Sequence, residues 1–218
     1  MLADVDGYVY NFWLYKGKQP KVHEIVINFV KSLPSKPFKL YCDSYYGSYK
    51  LAEQLQLQCP HILFTLSCQQ NRPSALFADN MHKGLKKHEF ATLRKPKTNI
   101  TATVFYDRKR VNFISNMYNG KATHSREKNN GERQEILYLV HDYNLNMHGV
   151  DKADAFNNLF RSHHRNIKWT QALFHYVFRL ICCNSWLIHN NLHKIQQKQQ
   201  EFLVQLALKL APRKEKFR

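Results

Sequence analysis

Between Lys21 and Leu33 the apolar side chains fall at Val22, Ile25, Val26, Phe29 and Val30, the i, i+3, i+4 spacing that lines one face of an α-helix. Pro34 cannot continue such a helix. The stretch before it, "GYVYNFWLYKG" over residues 7–17, is dense in β-branched and aromatic residues and bounded by Gly7 and Gly17. That composition predicts a strand or a bent pair of strands. Phe38 to Cys42 predicts a short strand, the Ser and Gly turn after it leads into a helix beginning near Ser48, and "HILFTLS" over 61–67 predicts another strand. The alternation of strand and helix argues for a sheet with helical cover. "VFYDRKRVNFIS" over 104–115 reads as strand, turn, strand, and "QEILYLV" over 134–140 as a further strand. Residues 116–134 between them are polar, basic and rich in Asn and Gly, the composition of a flexible loop.

Beyond Asp151 the period becomes helical throughout. One helix is expected from Ala153 to about Arg161 and a second from Trp169 to about Asn190, with Trp169, Leu173, Phe174, Val177, Phe178, Ile181, Leu187 and Ile188 as its core-facing stripe. A last helix runs from about Lys194 to Leu210, before Pro212 and the tail "RKEKFR". The expected fold class is therefore α/β: a mixed sheet with flanking helices, followed by a helical C-terminal part. The expected organisation is a sheet-bearing core over 1–155 containing the basic loop 116–134, a helical segment over 156–211, and a basic tail over 212–218.

With 218 residues, 44% of them hydrophobic and 13% aromatic, the chain can bury a sizeable core. Charge sharpens the picture: 33 Lys and Arg against 16 Asp and Glu give a formal net charge of +17, which makes a polyanion, nucleic acid above all, the first partner to consider. A membrane partner is not expected, because the most apolar segment, Ala172 to Ile188, is short for a span and carries His175, Arg179 and Asn184. The opening "MLADVDGYVY" has two acids and no basic region, so no signal peptide is expected. Cysteines 42, 59, 68, 182 and 183 form no C-x-x-C pair and no ligand spacing with His, so neither a zinc site nor a disulfide framework is expected. Candidate phosphate-facing cations are Lys95 and Lys97 in "KKHEFATLRKPK", then Arg108, Lys109 and Arg110, then Arg161, Arg165 and Lys168 around His163 and His164. Such a run is more often a solvated face. Tyr45, Tyr46 and Tyr49 read as core aromatics or as stacking platforms for bases.

In so basic a chain the carboxylates stand out. Asp151 and Asp154 lie three residues apart and would project side by side from one helix face. Acids there suit the positive end of a helix dipole, and equally suit a hard divalent cation, which takes one or two carboxylates and completes its shell with water and phosphate oxygens. Asp43 falls where a strand stops, the place where α/β sheets usually hold ligands. Asp107 stands at a turn before Arg108, Lys109 and Arg110, and reads either as an ordinary hairpin acid or as a third member of the same site. Acids converging from separate elements can hold two divalent ions for phosphodiester chemistry.

Four separated motifs add a family. "YNLNMHGVDKAD" followed by "KWTQALFHYVFRLICCNSWLIH" resembles the signature of piggyBac-type transposases, through Tyr143, Asn144, Met147, Gly149, Val150, Asp151 and Asp154, then Lys168, Trp169, Asn184 and Ser185. "CDSYYGSYKLAEQL" is similar to the family's segment around its first catalytic acid, "FYDRKRVNFIS" to that around its second, and "ADVDGYVYNFWLYKGK" to the strand preceding the first. The resemblance implies an RNase H-like core with Asp43, Asp107 and Asp151 as catalytic, metal-binding triad and Asp154 as auxiliary acid. It further implies two Mg²⁺ or Mn²⁺ ions, cut-and-paste DNA transposition by strand cleavage and strand transfer at TTAA-like targets, DNA and a second copy of the chain as partners, and the nucleus as compartment. The sequence departs from the pattern at His148, where the family usually has Gly, and at "TLSCQQNRPSALF", which keeps only Asn71 and Arg72 of a longer motif. The chain also opens close to the catalytic core and lacks the Cys- and His-rich C-terminal module of many members. Fragment, decayed copy and domesticated gene are all compatible with that. The rival expectation is a catalytically silent, transposon-derived DNA-binding protein, and a third reading is a standalone metal-dependent nuclease.

Overall fold

The computed structural model describes residues 1–17, 20–70, 81–118, 123–127, 133–159 and 168–211. The chain divides into two compact units, Trp13–Met147 and Met1–Phe12 together with His148–Arg218. Asp151 and Asp154 fall in the unit that holds the C-terminal helices.

The first unit is built on a five-stranded mixed sheet. Its strands are β3 (Lys39–Cys42), β4 (Leu63–Cys68), β5 (Phe90–Arg94), β6 (Thr101–Tyr106) and β7 (Arg110–Ser115), in the order β3-β4-β7-β6-β5. Strands β3 and β4 are parallel, and all other pairs in this sheet are antiparallel. Helix α1 (Val22–Lys31) buries Ile25, Val26, Ile27, Phe29 and Val30, the face its period defines. Helix α2 (Tyr49–Gln58) starts at Ser48, whose hydroxyl accepts the Leu51 N–H at 3.2 Å, and buries Leu51, Ala52 and Leu55; such a cap occupies one of the four donors a helix start leaves free. Thr65, Ser115 and Asn116 satisfy polar groups inside the sheet: the Thr65 and Ser115 hydroxyls meet at 3.0 Å, and Asn116 accepts the Phe64 N–H at 2.6 Å while donating to the Ile62 carbonyl at 3.0 Å.

Three elements of this unit differ from expectation. Strand β5 pairs with β6 where the sequence shows only a basic run. The stretch predicted as a loop contains β8 (Thr123–Glu127), paired antiparallel with β9 (Arg133–Leu137); most of its Asn and Gly residues lie outside the described residues. The strand predicted over 134–140 stops at Leu137, and helix α3 (Tyr138–Asn146) follows at once. Leu137, Leu139, Val140 and Tyr143 pack with Phe105 and Phe113 in one buried cluster. Burial against the sheet makes these residues helical, since the local apolar period is weak.

The second unit contains β1 (Leu2–Ala3), β2 (Val9–Asn11), α4 (Gly149–Leu159), α5 (Trp169–His193) and α6 (Gln199–Leu210). Val9, Ala153 and Leu180 form its buried cluster, with Met1 and Ala3 against it. The face of α5 is reversed from expectation. Leu180 and Cys183 are buried, while Trp169, Phe174, Phe178, Ile181 and Ile188 are exposed. Helix α5 is apolar on most of its circumference, so the period alone does not say which side packs. Asn184 decides it: its side chain accepts the Val9 N–H at 3.0 Å and donates to the Val9 carbonyl at 2.9 Å, acting as a strand partner for β2. All five cysteines are free thiols, and no described helix is long and apolar enough to cross a membrane.

Candidate functional site

Asp43 is the first residue after β3 and is exposed. Its carbonyl accepts the N–H groups of Tyr46 at 3.0 Å and Gly47 at 2.9 Å, and its own Oδ1 accepts the Ser44 N–H. The turn is pinned at Gly47, where a Cβ would stand 1.6 Å from the Ser67 carbonyl oxygen. Only glycine lets the turn lie so close on the end of β4, and the chain then enters α2 directly. Two residues of α3 hold the strand just before Asp43. The Tyr143 hydroxyl donates to the Cys42 carbonyl at 3.1 Å, and the Tyr41 hydroxyl donates to Asp142 at 2.5 Å. Asp142 is buried and also accepts the Tyr118 hydroxyl at 2.6 Å, with the Lys39 ammonium at 3.8 Å. Burial first, then the Asp142 carboxylate, push the Tyr41 and Tyr118 phenols well above their ordinary range; both therefore serve Asp142 as donors. The sequence reading singled out Tyr143 within a motif and passed over Asp142. The signal available was an acid beside that Tyr in a stretch otherwise expected to be strand.

Asp107 lies in the hairpin between β6 and β7, exposed, with its N–H donating to the Lys109 carbonyl at 3.2 Å and its carboxylate 3.9 Å from His88 Nδ1. It leaves the same end of the sheet as Asp43, because β3, β4 and β6 run in one direction. The register separates the two. Cys42 is level with Leu66, Leu66 with Ile114 and Ile114 with Ala102, so Asp107 lies four residues further along and three strands across from Asp43. At about 4.8 Å per strand and about 3.3 Å per residue, their backbones are roughly 20 Å apart. An aspartate side chain spans only a few ångströms, so the sheet does not bring these carboxylates to one ion. Asp107 stands in its hairpin among the basic residues Arg108, Lys109 and Arg110, and the strands by themselves do not set it beside Asp43.

In the other unit, Asp151 stands in the first turn of α4 and is exposed, with Oδ2 3.4 Å from His148 Nδ1. Asp154, one turn on, is half-buried and accepts the Tyr176 hydroxyl at 3.4 Å. Gly149 is the first residue of α4, and a Cβ there would stand 2.1 Å from the Asp4 carbonyl oxygen. The start of α4 thus packs backbone to backbone against the turn between β1 and β2. Lys152 points to the Val5 carbonyl at 2.6 Å, away from both acids. Among the described residues, no lysine or arginine forms an ion pair with Asp43, Asp151 or Asp154. Within neither unit do three or more His, Cys, Asp or Glu of the described residues form a group placed to hold a metal ion.

The basic candidates distribute unevenly. Lys95 is tied to Glu53 at 2.8 Å and to the Tyr49 hydroxyl, and the bonds that Glu53 accepts from Lys95 and from the Tyr49 hydroxyl hold its carboxyl below its usual range. Lys97 sits with φ +59° in the turn after β5, at a cleft of about 430 Å³ lined also by Gln56, Arg94, Lys95, Thr98 and Asn99. That turn lies at the end of the sheet opposite Asp43. Arg108 and Lys109 are exposed at the Asp43 end, while Arg110 is half-buried and bonds Asn112 at 2.8 Å and His82 at 3.1 Å. Lys168 is exposed at the start of α5. Arg161, His163, His164 and Arg165 lie outside the described residues.

The family model described as "Transposase IS4" matches residues 1–186, and the chain belongs to that family. Its fold is that of piggyBac transposase: one chain of the cryo-EM structure of the piggyBac transposase synaptic complex with hairpin DNA superposes with a TM-score of 0.72 at 17% identity, over 89% of this chain and 40% of that one. The resemblance read from the four motifs is borne out at the level of family and fold, and the RNase H-like α/β class with it. The chain spans less than half the length of that transposase. No curated protein matches it in sequence.

Proposed function

We propose that the chain is the catalytic portion of a DNA transposase, which binds DNA and cleaves and transfers its strands with a divalent metal, for which Asp43 in one unit and Asp151 and Asp154 in the other are the candidate ligands that the family resemblance implies. The observation that carries this reading is that none of those acids is paired with a Lys or Arg among the described residues, Asp151 having only His148 at 3.4 Å. In a chain of +17 net charge, Asp43 at a strand end, Asp151 at a helix start and Asp154 one turn on are exposed or half-exposed without a Lys or Arg partner among the described residues. Their all-oxygen donor chemistry fits Mg²⁺ or Mn²⁺, which when bound activates a water or a 3′-hydroxyl and stabilises the leaving oxygen of a phosphodiester. The protein's own part is to hold Asp43 on a turn fixed by Gly47, to hold Asp151 on a helix start fixed by Gly149, and to offer Arg108, Lys109 and Lys168 to phosphates. A nuclear location and pairing with a second copy go with the reading, as the family resemblance implies.

A second reading, a catalytically silent DNA-binding protein, is favoured by the position of Asp107, which leaves Asp43 without a carboxylate partner from the sheet. Mn²⁺ titration with and without duplex DNA, together with a nicking assay, separates the two. Asp43→Asn and Asp151→Asn should each abolish metal-dependent nicking and weaken Mn²⁺ binding, Asp154→Asn should do so more mildly, and Asp107→Asn should change neither. Absence of Mn²⁺ binding to the unmutated chain in both conditions would establish the silent reading.

A further inference from the structure

We propose that an open cleft of about 820 Å³ beside the β1–β2 turn is a binding site for a basic peptide, with an arginine side chain held in the corner between the rings of Tyr8 and Tyr10. The inference goes beyond the transposase reading and needs neither metal nor DNA. The cleft lies within one unit, between the turn that joins β1 to β2 and the helices α4 and α5. Its chemistry is the reverse of the chain's. In a protein of +17 net charge it brings together Asp4 and Asp6, two tyrosine rings, and an apolar wall of Leu187, Ile188 and Ile195.

A short hairpin builds the corner. Gly7, at φ +94°, lets the chain reverse, and a Cβ there would stand 3.1 Å from the Ala153 nitrogen and 3.2 Å from the Phe156 ring, so the turn rests directly on α4. Asp4 closes it, its Oδ1 accepting the Asp6 N–H at 3.0 Å and the Tyr8 N–H at 2.9 Å. Strand alternation then sends Val9 into the core and puts Tyr8 and Tyr10 on the opposite face. Their rings stand edge to face, 4.9 Å between centroids and 69° between planes, so two aromatic walls meet near a right angle. Tyr10 is 54% exposed and Asp6 is exposed. Among the described residues, no Lys or Arg forms an ion pair with Asp4 or Asp6. Lys152 also lines the cleft, but its ammonium donates to the Val5 carbonyl at 2.6 Å.

A tyrosine face attracts a cation, and a carboxylate beside it adds to that attraction. The Asp4 charge reaches this corner: after burial, it is what pushes the Tyr10 phenol above its ordinary range. Arginine suits all the walls at once. Its planar guanidinium stacks on an aromatic ring and pairs a carboxylate through two N–H bonds, while its methylene stem covers apolar surface. The cleft is larger than one side chain, so a short peptide fills it, with the residue beside the arginine against Leu187 and Ile188. A phosphate-bearing ligand is disfavoured, because Asp4 and Asp6 repel it.

The test is isothermal titration calorimetry of the full chain with the blocked peptide acetyl-Ala-Arg-Leu-Ala-amide, beside the same peptide with citrulline for arginine, which keeps the shape and removes the charge. The expected result is binding of the arginine peptide, weakened roughly tenfold or more by citrulline. Asp6→Asn and Tyr10→Ala should each weaken binding roughly fivefold, and the double variant should lose it, whereas Tyr10→Phe, which keeps the ring, should bind as the unmutated chain does. Melting temperatures should change little, because both side chains are exposed. Asp4 is left in place because its carboxylate holds the turn. No binding of the arginine peptide at millimolar concentration, equal affinity for the citrulline peptide, or unchanged affinity in the double variant each overturns the proposal. Binding of deoxyguanosine in place of the peptide, lost in the same two variants, would make the cleft a nucleobase pocket and overturn the peptide assignment. Should Tyr10→Ala fail to fold, Asp6→Asn alone carries the test, and unchanged affinity there is equally fatal.

Discussion

Cys42, immediately before Asp43, shows how strongly single positions are set by their surroundings. Burial, then the neighbouring Cys68 and Asp43, push its thiol up to about 12. The folded state therefore keeps the proton after an unfolded thiol, with its ordinary value near 9, has released it. Between those two values the unfolded chain binds fewer protons, so stability falls as pH rises, by about 1.4 kcal/mol per pH unit for each such group. Below the unfolded value the contribution is fully present. Tyr41, Tyr118 and Tyr143, all raised as well, steepen the loss above the ordinary phenol range. Urea unfolding midpoints between pH 8 and 11 should fall progressively from about pH 9. Cys42→Ala should flatten the early part of that fall by up to one proton's worth, and an unchanged profile in that variant would place the alkaline sensitivity elsewhere.

At the level of elements, what the sequence made legible was whatever carried its own signal. Helix α1 has a clean apolar face and α2 has a capping Ser48, so both lie within a residue or two of where the pattern places them. Strands β3, β4 and β7 are dense in apolar residues and were legible for that reason. The strand β5, "FATLR", sits among lysines and is half-buried at an edge, so its alternation is hidden by charge. Helix α3 is buried by tertiary contacts around Leu139, Val140 and Tyr143, which no local window contains. The same limit applies to the site. The exposed acids at strand and helix ends could be picked out one by one, but the distance between Asp43 and Asp107 depends on strand order, and the order β3-β4-β7-β6 is a property of the sheet. Asn184 shows an element held by a single long-range pair. Asn184→Ala would leave both the N–H and the carbonyl of buried Val9 without their partner, at a cost of about 2–4 kcal/mol. Asn184→Asp, which keeps the acceptor but sets a carboxylate oxygen against the Val9 carbonyl, should cost at least as much. Equilibrium denaturation of the two variants reads the difference, and equal stability in Asn184→Ala would mean water replaces the side chain at β2.

For the whole molecule, the excess of +17 matters more than any one contact. Most of what such a chain offers DNA is Lys and Arg to phosphate, contacts that fix position without reading sequence, and their free energy comes largely from release of counterions condensed on the duplex. Affinity should therefore depend steeply on salt and weakly on sequence. If roughly five phosphates are neutralised, log K falls against log salt with a slope of about −4.5, so that raising salt from about 50 to about 200 mM weakens binding some several-hundred-fold. The exposed cations at the Asp43 end of the sheet, Arg108 and Lys109, should carry about one unit of slope each when changed to Ala. Arg110→Ala should carry little, since its guanidinium is occupied by Asn112 and His82. Lys95→Ala should likewise change the slope less than Lys97→Ala, because Glu53 and Tyr49 already hold the Lys95 ammonium. Fluorescence anisotropy with a labelled duplex and its scrambled counterpart, at four or five salt concentrations, measures all of these together. A slope near zero, or a preference of more than about tenfold for one duplex (about 1.4 kcal/mol), would mean that base contacts rather than phosphate contacts dominate. The candidate DNA surface would then have to be sought away from these cations.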